Sequence, residues 1–554
     1  MTIQEKKAAW LAHPALPEEL KRELESMSEE AANDSFYRDL AFGTGGLRGV
    51  LGAGTNRMNV FTVMKATRGL AGYLTETFAA PSCAVSFDSR IHSQDFAELT
   101  AAVLAEAGVH VYLYPKLQPT PMLSFAVRHL GCSAGVMITA SHNPARFNGY
   151  KVYGEDGCQI TLKAADRIQH YIQQEPDLYE HLPSFQAQLQ SGRITYITEE
   201  TIEAYYQAVW KLRVHPSSQK LHVVYSPLNG TGNVPVREIM RRMGNIQVDV
   251  VEAQELPDGH FPTCPYPNPE IREAMALAIE KTLETGADLC FATDPDCDRM
   301  GAGVRIGDEV QLISGNDMGI LMLDDLCRHA NLSASPLPRV VVKTIVTTEM
   351  ASALCDEYGL ELRNVLTGFK FIGEQIGLLE KEGHRERFLF GFEESYGYLS
   401  GTDVRDKDAV NAALLLCDLA AGLKAEGKTL LDRLEELRAR YGFFAQRLLT
   451  FEYDGESGAR KMAEIMAVLR GAPSSFESPE MQKANRRDYL HDETGLPASD
   501  VLSFAITPDV KLIVRPSGTE PKLKAYLFAR ADNQAASEKT LDELEALVRS
   551  LCEG

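Results

Sequence analysis

The chain has 554 residues, 77 acidic against 56 basic, for a formal net charge of −21. Hydrophobic residues make up 44% and charged residues 24%, which excludes a mainly disordered chain; at about 150 residues per domain the length suggests three or four domains. The acidic excess argues against a nucleic-acid partner, which would need a basic face, and means that any anionic substrate must be gripped by local cations and backbone N–H groups.

No stretch approaches the ~20 consecutive apolar residues that span a bilayer, so no membrane association is expected. The N-terminal run MTIQEKKAAWLAHPALPEEL is amphipathic and acidic and lacks the apolar core and cleavage site of a signal peptide. Ten cysteines are scattered without a CxxC pair, mostly in apolar contexts, which predicts a cytoplasmic protein with reduced thiols and no zinc ribbon.

In chain order, an acidic helical segment precedes a predicted strand at 83–87, a helix at 95–108, and strands at 109–114 and 135–139. A helix at 199–213 leads to a second unit with strands at 221–225, 246–252 and 288–292 and a helix at 268–285. The Ser/Pro-rich run NLSASPLP at 331–338 precedes a strand at 339–345, which opens a third unit reaching about residue 442. Strands at 448–453, 501–506, 510–514 and 523–528 and a helix at 535–551 follow. This alternation predicts three related α/β domains with a smaller C-terminal α+β domain, divided as 1–205, 206–316, 317–443 and 444–554.

Five loops carry the chemistry. Thr139-Ala140-Ser141-His142-Asn143-Pro144 follows a strand of small apolar residues, at the strand end where open α/β sheets bind ligands. A serine there can accept and return a phosphoryl group, though the same residues also suit a simple hydrogen-bonding turn. No GxSxG elbow surrounds Ser141, so acyl chemistry is not indicated. Thr293-Asp294-Pro295-Asp296-Cys297-Asp298-Arg299 sets three carboxylates at i, i+2 and i+4, whose mutual repulsion a hard divalent cation would relieve; the EF-hand glycine and glutamate are absent. Cys297 reads as a packing residue.

Phe392-Glu393-Glu394-Ser395-Tyr396-Gly397 could accept hydrogen bonds from sugar hydroxyls or be a surface turn, with Lys370 and the run Arg405-Asp406-Lys407-Asp408 adding cations to the same unit. Arg515-Pro516-Ser517-Gly518-Thr519-Glu520-Pro521 links two strands as a phosphate nest or an empty hairpin. Phe42-Gly43-Thr44-Gly45-Gly46-Leu47-Arg48-Gly49 is a glycine-rich loop with one arginine, neither Walker A nor GxGxxG.

Taken together and in order, GTGGLRG, TASHNP, DPDCDR, GFEES and RPSGTEP resemble the α-D-phosphohexomutase superfamily over residues 40–525. Gly-Leu-Arg-Gly, Asn-Gly-Tyr-Lys-Val-Tyr at 148–153 and Thr-Gly-Phe-Lys at 367–370 look closest to its long bacterial phosphoglucomutase and phosphopentomutase members. The resemblance implies a four-domain, heart-shaped enzyme with a central cleft. It implies that Ser141 is phosphorylated and that Asp294, Asp296 and Asp298, with an oxygen of the phosphoserine at 141, hold one Mg²⁺. Glu393 and Ser395 would read sugar hydroxyls, and Arg515, Ser517, Gly518 and Thr519 would grip the non-transferring phosphate. Arg48, His142, Lys151, Arg299 and Lys370 would be active-site cations, with His142, Lys151 or Lys370 relaying protons. Cys297 departs from the Ala or Gly often found there.

The implied reaction converts α-D-glucose 1-phosphate to glucose 6-phosphate through glucose 1,6-bisphosphate, which would also serve as activator. Ribose, deoxyribose or mannose 1-phosphate remain alternative substrates. A phosphatase or a non-catalytic sugar-phosphate sensor is disfavoured, since a sensor would have lost the serine or an aspartate. The expected partner is a small phosphosugar, and no obligate protein partner is implied.

Overall fold

The computed structural model describes all residues except 44, 454, 472–478, 492–494, 518–521 and 554, with the side chains of 334, 455, 456, 459, 480 and 553 also left aside. The described residues form two compact units: Met1–Arg339 with Phe369–Gly427, and Val340–Gly368 with Lys428–Gly554.

The first unit opens with helices Ile3–Leu11, Glu18–Ser26 and Glu29–Phe36. Trp10 pins them to the core by edge-to-face contacts with Phe36 and Phe61, at centroid distances of 5.5 and 5.3 Å. A six-stranded mixed sheet follows, in the order Gly46–Val50, Phe147–Gly154, Ala134–Ile138, Ser82–Phe87, His110–Leu113, Ile194–Tyr196. Its centre is parallel, and Phe147–Gly154 and Gly46–Val50 extend it antiparallel. Ala134–Ile138 is buried at every position, as a strand covered by helices on both faces must be.

The residues expected as a glycine-rich loop thus become a strand from Gly46 onward. GLRGV has no β-alternation, and its extended form comes from pairing, Arg48 opposite Gly149 and Gly46 opposite Lys151. Gly46 is required there: its φ is +136° and a Cβ would sit 1.8 Å from the Tyr150 carbonyl oxygen.

A second, five-stranded sheet runs Glu309–Ile313, Met300–Ile306, Leu289–Thr293, Leu221–Ser226, Ile246–Val250. The strand expected at 246–252 ends at Val250 and gives way to the short helix Glu252–Glu255. The helix expected from 268 begins at Arg272, because Pro267 and Pro269 keep 268–271 in a turn in which Asn268 Oδ1 accepts from the Glu270 N–H at 3.1 Å. Beyond it the first unit holds the antiparallel pair Phe388–Glu393 and Gly397–Ser400, backed by helices Gly315–His329, Phe369–Lys381 and Ala409–Ala425.

The second unit contains the parallel pair Val340–Thr344 and Glu361–Val365, then an all-antiparallel sheet. That sheet is ordered Phe443–Glu452, Lys522–Ala531, Val510–Pro516, Leu502–Thr507, Asn485–Asp488, with helix Gln534–Glu553 against it. Its core gathers Leu449, Phe451, Leu502, Phe504, Leu512, Leu527 and Leu541. Lys343, wholly buried on the parallel pair, is pushed down to about 8 by burial; its amine donates to the Thr347 carbonyl at 3.1 Å and pairs with Glu349 at 3.4 Å. Among the described residues no helix is long and apolar enough to cross a membrane, and all ten cysteines are buried free thiols.

Candidate active site

The serine loop leaves the central strand at Thr139 and turns at Ser141, whose φ of 52° is a left-handed conformation costing a non-glycine residue about 1–2 kcal/mol. The surroundings over-determine it. Thr139 Oγ1 accepts from the Ser141 N–H at 2.8 Å and donates to Asp88 Oδ2 at 2.6 Å. Beside Asp88 lies buried Arg90, whose Nη1 donates to the carbonyls of Pro144 and Phe147 at 3.0 and 3.1 Å while Nη2 donates to those of Ser141 and Asn143. One guanidinium therefore holds four carbonyls of the loop and its exit, with the Phe261 ring 5.1 Å from its centre.

The aspartate loop follows strand Leu289–Thr293 and is fixed from three sides. Thr231 donates to the Pro295 carbonyl from N–H and Oγ1, at 2.8 and 3.0 Å; the Thr120 N–H donates to the Asp296 carbonyl at 2.9 Å; the Ala409 N–H donates to the Cys297 carbonyl at 3.3 Å. Cys297, at φ 53°, is fully buried against Gly232, as its packing reading requires. Asp294 Oδ1 accepts from the N–H groups of Asp298 and Arg299 at 3.1 and 3.0 Å.

These two loops meet. Ser141 Oγ donates to Asp294 Oδ2 at 2.9 Å, and the carboxylates of Asp294, Asp296 and Asp298 offer oxygens all within 4.8 Å of one another. All three are at most 1% exposed, and Oδ1 of both Asp296 and Asp298 is buried without a hydrogen-bond partner. Burial together with the charges of Asp296 and Asp298 pushes Asp294 well above the usual carboxylate range. Converging hard oxygens with unused lone pairs fit a divalent cation, and the serine oxygen lies where it would join them.

Lys151 Nζ contacts Asp296 Oδ2 at 2.7 Å and Asp298 Oδ2 at 3.4 Å. Burial acts to lower this amine, but the two carboxylates overcome it and hold it protonated. His142 is placed oppositely: burial and the charges of Arg299 and Arg48 pull its imidazole well below the usual histidine range, and its Nδ1 lies 3.2 Å from Ser141 Oγ. The pair is a neutral ring against a hydroxyl and a charged amine against carboxylates. Arg48 is exposed on its strand, with Nη1 3.5 Å from Asn143 Oδ1.

The turn from Glu393 to Gly397 is brought to the aspartate loop by an isolated bridge between Arg299 and Gly397 and by the Met300 N–H donating to the Tyr396 carbonyl at 3.1 Å. Burial pushes Glu393 up to about 7, against the pull of Lys407 and Arg299. Arg299 braces the turn, its Nη1 2.5 Å from Glu270 Oε1 and 3.0 Å from the Ser395 carbonyl. Glu270 reaches it because Gly301 leaves room for the Pro269 backbone, whose carbonyl oxygen is 2.3 Å from where a Cβ would sit. Lys370 is the second residue of helix Phe369–Lys381; burial draws its amine below the usual lysine range, and Nζ stands 5.2 Å over the Phe371 ring.

Sequence reasoning gave no role to Thr120, Arg90 or Glu270, and read Lys407 only as one of the cations near the Glu393 turn. Lys407 Nζ lies 3.3 Å from Asp298 Oδ2 and 3.1 Å from Asp406 Oδ1, and its signal was the alternating charge of Arg405-Asp406-Lys407-Asp408. Thr120 Oγ1 donates to Asp296 Oδ2 at 2.9 Å, and neither it nor Arg90 or Glu270 has a local sequence signal. In the second unit Arg515 Nη2 donates to Tyr526 Oη at 3.0 Å and the Ser517 N–H donates to the Lys522 carbonyl at 2.7 Å; Gly518 and Thr519 lie outside the described residues.

Tandem α/β domains with a serine set against a buried aspartate triad define a phosphosugar-mutase type of protein. Residues 39–178, 203–307 and 314–441 match, in order, alpha/beta/alpha domains I, II and III of phosphoglucomutase/phosphomannomutase. A phosphoglucomutase of Staphylococcus saprophyticus is 35% identical over 541 residues, covering 95% of this chain and 97% of that protein. One of Staphylococcus aureus is 35% identical over 526 residues, covering 93% and 94%. In fold, the chain is similar to Paramecium parafusin, a phosphoglucomutase (TM-score 0.70, 16% identity, 93% and 96% covered). It is also similar to a Burkholderia thailandensis phosphoglucomutase/phosphomannomutase family protein (TM-score 0.68, 18% identity, 92% and 97% covered). The chain belongs to the phosphoglucomutase/phosphomannomutase family, within the α-D-phosphohexomutase superfamily, and is an isomerase of that family.

Proposed function

We propose that this enzyme is a cytoplasmic phosphoglucomutase that interconverts α-D-glucose 1-phosphate and glucose 6-phosphate through a phosphoserine at 141 and a glucose 1,6-bisphosphate intermediate. The observation that carries the proposal is Ser141 Oγ at 2.9 Å from Asp294, inside a buried aspartate triad with unused oxygens. The similarity to phosphoglucomutases along almost the whole chain supports glucose as the sugar.

Asp294, Asp296 and Asp298 would hold one Mg²⁺, which supplies neutralisation of the charge on a transferring phosphoryl group. In the first half-reaction the sugar 6-hydroxyl attacks the phosphorus on Ser141, so that the Oγ–P bond breaks as the O6–P bond forms. The hydroxyl proton passes to the neutral His142 imidazole and from there to Oγ. After the bisphosphate has turned over, Oγ attacks the 1-phosphate, and its proton passes through His142 Nδ1, 3.2 Å away, to the departing sugar O1. Lys151, kept charged by Asp296 and Asp298, is an electrostatic anchor rather than a base. Glu393 and Ser395 orient the sugar, with Arg299 holding the turn they sit on; Arg48 and Lys370 supply positive charge. The loop from Arg515 to Thr519 binds the other phosphate. The division at 205, 316 and 443 into four domains with one loop each belongs to the same reading.

A coupled assay with Mg²⁺ and glucose 1,6-bisphosphate, comparing kcat/KM for glucose, mannose and ribose 1-phosphates, tests the assignment. Preference for ribose 1-phosphate would make the enzyme a phosphopentomutase, and absence of mutase activity on all three would overturn the proposal.

A further inference from the structure

Away from the aspartate loop, a second cluster of metal-ligating side chains is assembled from two separate stretches of the first unit. Asp325 and His329 lie four residues apart on helix Gly315–His329, hence on one face. His215 comes from the segment after helix Glu199–Trp210. Asp325 Oδ1 is 2.9 Å from His329 Nδ1 and 3.4 Å from His215 Nδ1. The two imidazoles are stacked, 3.7 Å between centroids and 17° between planes, which presents both Nδ1 atoms to the one carboxylate.

Two features show that this position is built. His215 packs onto helix Ala409–Ala425 at Gly422, where a Cβ would lie 2.3 Å from its Cε1 and 2.7 Å from its Nδ1, so only glycine admits the ring. His215 Nδ1 is itself buried and makes no hydrogen bond, a nitrogen aimed at a carboxylate without satisfying it. Asp325 is nearly buried while each histidine keeps 26% of its side chain exposed, leaving open sides for an ion and its water.

We propose that His215, Asp325 and His329 form a second cation site, selective for a borderline transition ion such as Zn²⁺ or Co²⁺ over Mg²⁺. Donors on tetrahedral zinc at about 2.0–2.1 Å stand about 3.3 Å apart, a value that lies between the two nitrogen–oxygen separations of 2.9 and 3.4 Å. Two nitrogens and one oxygen suit zinc, whereas Mg²⁺ takes oxygen donors, so the two sites of the chain divide cations by chemistry. Coordination in the plane of each ring requires the stack to fan open and His215 Nδ1 to turn out of its buried position. Arg328, 3.4 Å from Asp325 Oδ1, must yield that oxygen and retains Asp324 at 3.0 Å. The bound ion would tie the segment carrying His215 to helix Gly315–His329.

The test uses the full chain, stripped with chelator and titrated with Co²⁺ in excess Mg²⁺, reading the visible d–d absorption and bound cobalt. The wild type and Asp296→Asn are expected to develop the band; His215→Gln and His329→Gln are expected to lose it and one equivalent of cobalt while keeping Mg²⁺-supported mutase activity. Thiolate is not the expected source of the band, since all ten cysteines are buried. Equal cobalt binding in the wild type and both histidine variants, or loss only in Asp296→Asn, would overturn the proposal. Should a variant misfold, ethoxycarbonylation of the wild type by diethylpyrocarbonate, mapped by mass spectrometry, decides the question. Zn²⁺ is expected to protect His215 and His329, and modification unchanged by Zn²⁺ would overturn the proposal equally.

Discussion

Thr120→Val removes one hydroxyl and little else. Valine keeps the branched shape and the backbone N–H that donates to the Asp296 carbonyl at 2.9 Å, but loses the Oγ1 donor 2.9 Å from Asp296 Oδ2. Asp296 then has Lys151 as its remaining side-chain donor, with Oδ1 already unpartnered. A hydrogen bond to a charged group is worth about 1.5–3 kcal/mol net, and loss of a partner that orients a metal-binding carboxylate typically costs about 10–100-fold in affinity. The expected result is a 10–100-fold rise in the Mg²⁺ concentration that half-saturates activity. A Thr120→Ser variant, which restores the donor, should lie near the wild type. The assay is mutase rate against free Mg²⁺ for the three proteins, alongside direct Mn²⁺ binding. Half-saturation unchanged in Thr120→Val would refute the claim that this contact sets the carboxylate for the ion.

Three other outcomes are expected. Ser141→Ala should abolish turnover while circular dichroism stays close to wild type; wild-type-like activity in that variant would remove the phosphoserine from the mechanism. Because Glu393 is pushed up to about 7 by burial, the folded state binds more protons than the unfolded one above the ordinary glutamate range. Its stabilising contribution is therefore present at low pH and is lost as pH rises through about 7, so Tm measured from pH 5 to 8 should fall less in Glu393→Gln than in the wild type. Gly315→Ala would place a Cβ 2.2 Å from the Glu394 carbonyl oxygen, displacing the turn from Glu393 to Gly397 that is proposed to orient the sugar. Overpacking of this kind costs about 1–3 kcal/mol, and steady-state kinetics should show KM for glucose 1-phosphate rising while Mg²⁺ half-saturation stays fixed.

Most parallel strands were readable because burial on both faces makes them apolar runs, as in Ala134–Ile138, whereas the short strand Ile194–Tyr196 and the polar strand Glu361–Val365 were not. Gly46–Val50 was not, since nothing in GLRGV is strand-like until Phe147–Gly154 pairs with it. The site divides the same way. Ser141 and the three aspartates sit in short stretches whose residue types already pose a chemical problem. Arg90 acts on backbone carbonyls 51 to 57 residues away, and Thr120 on a carboxylate 176 residues away. Carbonyl oxygens are the same in every residue, so an arginine that serves them leaves no pattern to read.

The division of the chain between its two units has a consequence for synthesis. Residues 340–368 are made before Phe369–Gly427 completes the first unit, yet the rest of their own unit begins only at Lys428. At about 5–20 residues per second, the strand pair Val340–Thr344 and Glu361–Val365 waits about 10–40 s for the last of its 186 downstream residues. During that interval the buried strand Val340–Thr344, which carries Lys343, has only residues 345–368 of its own unit to pack against. The ribosome-bound chain thus has a timed window, set by connectivity alone, in which one part of the second unit exists and the rest of it has not yet been made.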